Sequence, residues 1–96
     1  MSGYLLKNAN AVLDYSFDWD AGLFAPGEAI SVDQGWTIVP DEPGGLTVSS
    51  SSSGTTVTTV FLSGGESGAA YLVSSRVVTS QGREMQRSLT VRIGNN

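Results

Sequence analysis

The chain reads as an all-β domain, a two-sheet antiparallel sandwich of immunoglobulin-like type with about seven strands. Three observations predict it. Apolar residues recur at period two in one run after another, and no window places them at i, i+3, i+4 and i+7 between helix caps. Gly, Pro, Ser and Asp clusters break these runs into short segments. The 96 residues suit one domain with one core and are too few for a second. A small closed barrel is the competing all-β architecture.

Residues 1–10 hold Tyr4, Leu5 and Leu6 ahead of Lys7, Asn8 and Asn10 without a clear period, and they read as an N-terminal arm before a single domain at 11–96. Three consecutive apolar side chains are costly to leave in water. The arm is therefore expected to dock on this domain or on a neighbouring subunit, and Tyr4, Leu5 and Leu6 are candidate partner contacts. Leu13, Tyr15, Phe17 and Trp19 then alternate with Asp14, Ser16, Asp18 and Asp20, the signature of a strand with one aromatic face buried. Gly22 to Glu28 reads as a loop between sheets. Ala29 to Val32 and Trp36 to Val39 form strand segments, and Asp33-Gln34-Gly35 between them has the composition of a bulge or tight corner.

Pro40 to Gly45 is a turn by composition, and Leu46-Thr47-Val48 a short edge strand. The run from Ser49 to Gly54 is expected as an exposed loop tip. Thr55 to Leu62 is dense in β-branched residues and is expected as a strand, covered on both faces near Phe61. The remaining third reads as a hairpin turning at Ser80-Gln81-Gly82, where Gly82 supplies a positive φ. The turn sets a register in which Val77 faces Met85, Val73 faces Leu89 and Tyr71 faces Val91 on the core side. Leu72, Ser74 and Arg76 then lie on the other face.

Composition removes most chemistry. Without histidine or cysteine there is no disulfide, no Cys-based zinc site and no imidazole base, so the plentiful serines have nothing to activate them. No enzyme activity and no cofactor are expected. Asp14, Asp18 and Asp20 suggest a calcium site, but on an extended strand their oxygens spread over more than about 10 Å, whereas a calcium loop curls its ligands round one point. Gly64-Gly65-x-x-Gly68 lacks the following helix that a phosphate loop needs. Trp19, Trp36 and Tyr71 suggest a sugar platform, but alternating strand positions favour the core.

The net charge of −4 argues against nucleic acid. No apolar run approaches the roughly 20 residues of a membrane span, and the first residues lack a secretory pattern, so the protein is expected to be soluble where it is made. Residues 1–48 hold Lys7 against five Asp and two Glu, while residues 49–96 hold four Arg against two Glu. That asymmetry suits either copies meeting head to tail or one sandwich with two differently charged edges.

Arg87 shares its phase with Met85, Leu89 and Val91, so a charge occupies a core-facing position. Either its stem covers the core while its head escapes at the rim, or an acid meets it, from Asp14, Asp18, Asp20, Glu28 or Asp33. A contact to another subunit is the alternative, which adds Arg87 to the candidate partner residues. Arg83 shares the phase but sits beside the turn, within reach of water.

Two stretches carry a resemblance. Val12-Leu13-Asp14-Tyr15 through Asp18-Trp19, with Pro26-Gly27-Glu28-x-Ile30 and Trp36-Thr37, forms the first; Ser63-Gly64-Gly65 through Tyr71, with Thr79-Ser80-x-Gly82-Arg83 and Arg87-Ser88-Leu89, forms the second. Together they resemble the small proteins of tailed bacteriophages and prophages known as fibre-tail adaptors or other virion components. This chain has Gly22-Leu23 where the family pattern has Trp-Leu, and Glu28 supplies the acid expected after the loop glycine. The resemblance implies a non-enzymatic virion structural protein, assembled in the bacterial host cytoplasm, whose partners are other virion proteins and copies of itself in a symmetric oligomer. It implies an adaptor joining tail or neck and fibre components. A capsid decoration protein and a carbohydrate-binding adhesion module are the alternatives.

Overall fold

The computed structural model describes residues 4–20 and 23–94. Seven strands form two packed sheets: β1 (Tyr4–Asn8), β2 (Leu13–Asp18), β3 (Ile30–Val39), β4 (Leu46–Ser53), β5 (Val57–Gly64), β6 (Ala70–Thr79) and β7 (Glu84–Gly94). One sheet has the order β1-β7-β6-β3 and the other β2-β5-β4. β3, β6 and β7 against β2, β5 and β4 is the arrangement of a constant-type immunoglobulin domain, with the first strand placed beside β7. β1 pairs with β7 in parallel; every other pair is antiparallel.

The hairpin has the expected register. Val77 opposes Met85, Val73 opposes Leu89 and Tyr71 opposes Val91. Val77, Val73, Tyr71 and Val91 are buried, while Leu72 and Arg76 are exposed. Ser74 is buried although it faces outward, because it is small and its hydroxyl meets that of Ser88 at 2.6 Å. β2 also follows its alternation, with Phe17 and Trp19 buried and Asp14, Ser16 and Asp18 exposed. The ladder of β3 shifts between Asp33 and Gly35, the expected bulge, where Gly35 takes φ 93°.

Three segments differ from expectation. Residues 4–8 form a strand: β1 extends the edge of β7, burying Lys7, half-burying Leu5, and leaving Tyr4 and Leu6 in solvent. Ser49 to Ser53 belong to β4 and not to a loop tip. A strand needs only backbone pairing along one side, which Ser50 to Ser53 find on β5, and at a sheet edge serine side chains can all remain in water. Phe61 is not covered on both faces. It is exposed on the outer side of β5, whose inner side carries Val60 and Leu62.

The core has two ends. One is largely aliphatic, built from Leu46, Val60, Leu62, Val73, Val91 and Ile93 with Tyr71. Tyr71, at the start of β6, accepts a hydrogen bond from the Glu66 backbone N–H and donates to Glu42 Oε2, both at 3.2 Å. This is the tyrosine corner of immunoglobulin-like sandwiches. Gly65 closes that corner with φ 101°, and a Cβ there would come within 2.6 Å of Ile93 Cδ1.

The other end is aromatic. Phe17 stacks on Trp36 with centroids 5.4 Å apart and packs edge-on to Trp19. Trp19 Nε1–H donates to Thr58 Oγ1, which lies 3.0 Å from Ser75 Oγ, so a short hydroxyl chain crosses from one sheet to the other.

Candidate functional site

Alternation decides what the four-stranded sheet shows to solvent. Tyr4, Thr90, Leu72 and Val39 lie in register across β1, β7, β6 and β3. Tyr4 is 56% exposed, Leu72 45% and Val39 61%, and Leu6, beside Arg92 in the adjacent row, is 69% exposed. These side chains make an apolar row at one end of the outer face, and the Arg92 guanidinium lies 5.1 Å from the Tyr4 ring centroid at its border. The middle of the face carries Ser74, Ser88 and Thr37. The far end carries Arg76, bridged to Glu84 at 3.1 Å.

The opposite outer face, on the three-stranded sheet, is polar and acidic. Asp14 stands across from Phe61 and Asp18 across from Val57. Ser16 and Thr59 share a hydrogen bond of 2.7 Å, and Thr47 and Ser63 one of 3.2 Å. The strands of this sheet contain no Lys or Arg, whereas those of the four-stranded sheet hold Lys7, Arg76, Arg87 and Arg92 against Asp33 and Glu84. The charge asymmetry of the sequence thus becomes a difference between the two sheets.

Two cations act inside the domain. Lys7 is buried, and its Nζ donates to the backbone oxygens of Gly64 at 2.7 Å and Asn8 at 2.9 Å, tying β1 to the end of β5. Burial pushes its amino group below the ordinary value of 10.5. Arg83 grips the buried carboxylate of Glu28 through two parallel hydrogen bonds, one of them from Nε at 3.0 Å, and its Nη2 also reaches the Leu23 carbonyl at 3.0 Å. Glu28 further accepts from the Ala25 N–H at 2.8 Å. Arg83 first, then the Thr79 hydroxyl, hold its carboxyl down at about 2. The loop from Leu23 to Glu28 is thereby fastened to the hairpin turn.

Of the candidate partner residues, Tyr4 and Leu6 come together on the apolar row. Leu5 lies on the other side of β1, against the aliphatic core. Arg87 stands across from Ser75, as the register requires, but meets no carboxylate among the described residues. Its head lies 4.8 Å from the Phe17 ring centroid and donates to the Asp18 carbonyl at 3.2 Å, so its stem lines the core and its head leaves at the rim. The acid clamp expected of Arg87 is made by Arg83 with Glu28.

Trp19 and Tyr71 are buried and Trp36 is half-buried inside the sandwich, so they form no platform for a sugar. Among the described residues no group of three or more acids converges as a metal site would require. The departure at Gly22 lies outside the described residues; its neighbour Leu23 is exposed and gives its carbonyl to Arg83. What sequence reasoning did not find is the joining of Tyr4 and Leu6 with Leu72 and Val39. Leu72 and Val39 each stand out as apolar residues at outward positions, and that is the available signal.

The family model described as Podophage GP4 fiber-tail adaptor protein gp77 matches residues 7–92, nearly the whole chain. No curated protein matches it.

Proposed function

The chain belongs to the podophage fibre-tail adaptor family, and on that premise we propose that it is a non-enzymatic virion protein that joins tail or neck components to fibre components, and that the outer face of its four-stranded sheet is a surface by which it is held in the assembled particle. Membership implies a virion component that binds other virion proteins. The observation that carries the choice of face is the apolar row of Tyr4, Leu72 and Val39 with Leu6 beside it.

Water-exposed apolar residues scattered singly are ordinary, but a row that crosses the sheet and is interrupted only by Thr90 on β7 is what a docking partner covers. β1 has a second role here. By pairing with β7 it turns an apolar terminal segment into part of a rigid surface, so the partner meets a preformed face with little ordering left to do. Assembly takes place in the host cytoplasm, and the copies act as a symmetric set.

The test replaces Tyr4 and Leu6 together by Ser in the phage and follows the protein into particles. The altered chain should fold, melt near the wild-type temperature, and be missing from purified virions, with fibres lost as a consequence. Normal incorporation and normal fibre attachment would remove this face from the mechanism.

A further inference from the structure

We propose that the apolar row is covered by a second copy of this chain, which offers the outer face of its three-stranded sheet, so that Arg92 of one copy meets Asp14 of the next. The proposal deepens the reading of that row as a contact surface and rests on it.

Each outer face carries an unpaired charge in register with an exposed apolar side chain. On one face Leu6 stands across from Arg92, with Tyr4 under the guanidinium. On the other Phe61, 41% exposed, stands across from Asp14. Among the described residues neither Arg92 nor Asp14 has an ion-pair partner, whereas Arg76 and Arg83 have theirs. Each of the two sites sets one charge beside one exposed apolar side chain, and the charges are opposite in sign.

Other ways of pairing copies fit less well. Joining two four-stranded faces sets Arg92 against its own copy, because Lys7 is buried, Arg87 lies at the core rim and Arg76 is paired with Glu84, and joining two three-stranded faces sets Asp14 and Asp18 against their own copies. Like-charge juxtaposition is costly and steers such encounters apart. Unlike faces attract. They also lie on opposite sides of one sandwich, so a copy can use both at once. A contact between two different surfaces is heterologous, and repeating it closes a ring when the rotation allows and otherwise extends a filament. A ring is the form in which a small domain can surround a tail axis and present repeated sites.

The experiment uses the full chain and analytical ultracentrifugation over a concentration series at low and high salt, with circular dichroism to confirm the fold of every variant. Wild-type protein should associate, less at high salt. Arg92→Asp and Asp14→Arg should each weaken association at least about tenfold, since each sets like charges together. An equimolar mixture of the two single variants should associate again, because the altered face of each then matches the altered face of the other. The double variant should regain association with itself.

A wild-type chain that stays monomeric at every concentration would overturn the proposal. So would loss in Arg92→Asp with none in Asp14→Arg, which would pair the row with a different surface of a second copy; a monomeric wild type leaves the row as a contact for a different virion protein and the proposed function standing. If the Tyr4 and Leu6 substitution also leaves virion incorporation unchanged, the reading of the face falls together with this inference.

Discussion

The two ends of the core are stabilised by different physics. At one end Leu46, Val60, Leu62, Val73, Val91 and Ile93 fill the space between the sheets with aliphatic side chains, and the polar atoms of the tyrosine corner stay at its margin. At the other, Phe17, Trp19 and Trp36 surround the hydroxyl chain of Thr58 and Ser75, with Arg87 at the rim and the Glu28–Arg83 clamp beside the turn. The first end depends on shape, which pH and salt do not alter. The second depends on polar groups that lost their water, and each contributes only while its partner is present. One small domain thus combines an end that is costly to hollow out with an end whose strength varies with conditions.

Hollowing out the aliphatic end should have the largest effect. Leu62 is fully buried on the central strand of its sheet, so Leu62→Ala should cost about 2–5 kcal/mol through lost transfer energy and the cavity left behind. For a domain of this size each kcal/mol lowers the melting temperature by roughly 4–8 °C, which thermal unfolding followed by circular dichroism will read. A drop under about 1 kcal/mol would show that this end relaxes around voids and would erase the distinction.

At the aromatic end the two tryptophans separate packing from hydrogen bonding. Trp19 donates to Thr58, whereas Trp36 Nε1 has no hydrogen-bond partner among the described residues. Trp19→Phe should cost about 1–3 kcal/mol, and Trp36→Phe should cost about 1 kcal/mol less, because it removes a donor that the fold leaves unsatisfied. Equal costs in urea titrations would mean that the hydroxyl chain adds nothing beyond shape.

Acid should also tell the ends apart. The folded Glu28 carboxyl titrates at about 2 and its ordinary value is 4.5. Between these values the unfolded chain binds more protons than the folded one. The stability contributed by Glu28 is therefore complete above about pH 4.5 and is lost as pH falls toward about 2. Urea midpoints measured through that window should fall less steeply in Glu28→Gln than in wild type. Leu62→Ala should keep the wild-type slope from a lower starting point.

How much of this was legible depends on which part of the chain carries the signal. Val73, Val77, Leu89 and Val91 alternate around a turn ending in Gly82, so the hairpin register is legible in the sequence alone, and so is the aromatic face of β2. Ser49 to Ser53 had no such signal, since their pairing uses backbone atoms that every residue shares. β1 was hidden for a related reason: its partner, β7, comes from the far end of the chain and pairs in parallel, and Tyr4-Leu5-Leu6 looks apolar throughout although only Leu5 turns to the core. The clamp was half legible. Glu28 is among the possible acids and an arginine is expected to hold one, but it is Arg83, exposed beside the turn as its position implies, that does so, because the Leu23–Glu28 loop brings the buried carboxylate to it.

Arg87 offers the finest comparison, because it belongs to the aromatic end by contact and resembles the aliphatic end in what its stem does. Its methylenes line the core side of β7 while its head lies over Phe17 and donates to the Asp18 carbonyl. Arg87→Met keeps an apolar stem and gives up both head contacts; Arg87→Lys keeps a charge but loses the planar group that stacks on the ring. With no buried carboxylate left unpaired by either change, the loss should be small, on the order of 1 kcal/mol or less from the ring contact and one exposed hydrogen bond. Should Arg87→Met match wild type in thermal unfolding while Arg87→Lys falls below it, the stem rather than the charge holds this rim, and the aliphatic logic extends along β7 into the aromatic end. Should both fall by several kcal/mol, the head contacts matter far more than their exposure allows, and the division between the two ends must be redrawn at Phe17.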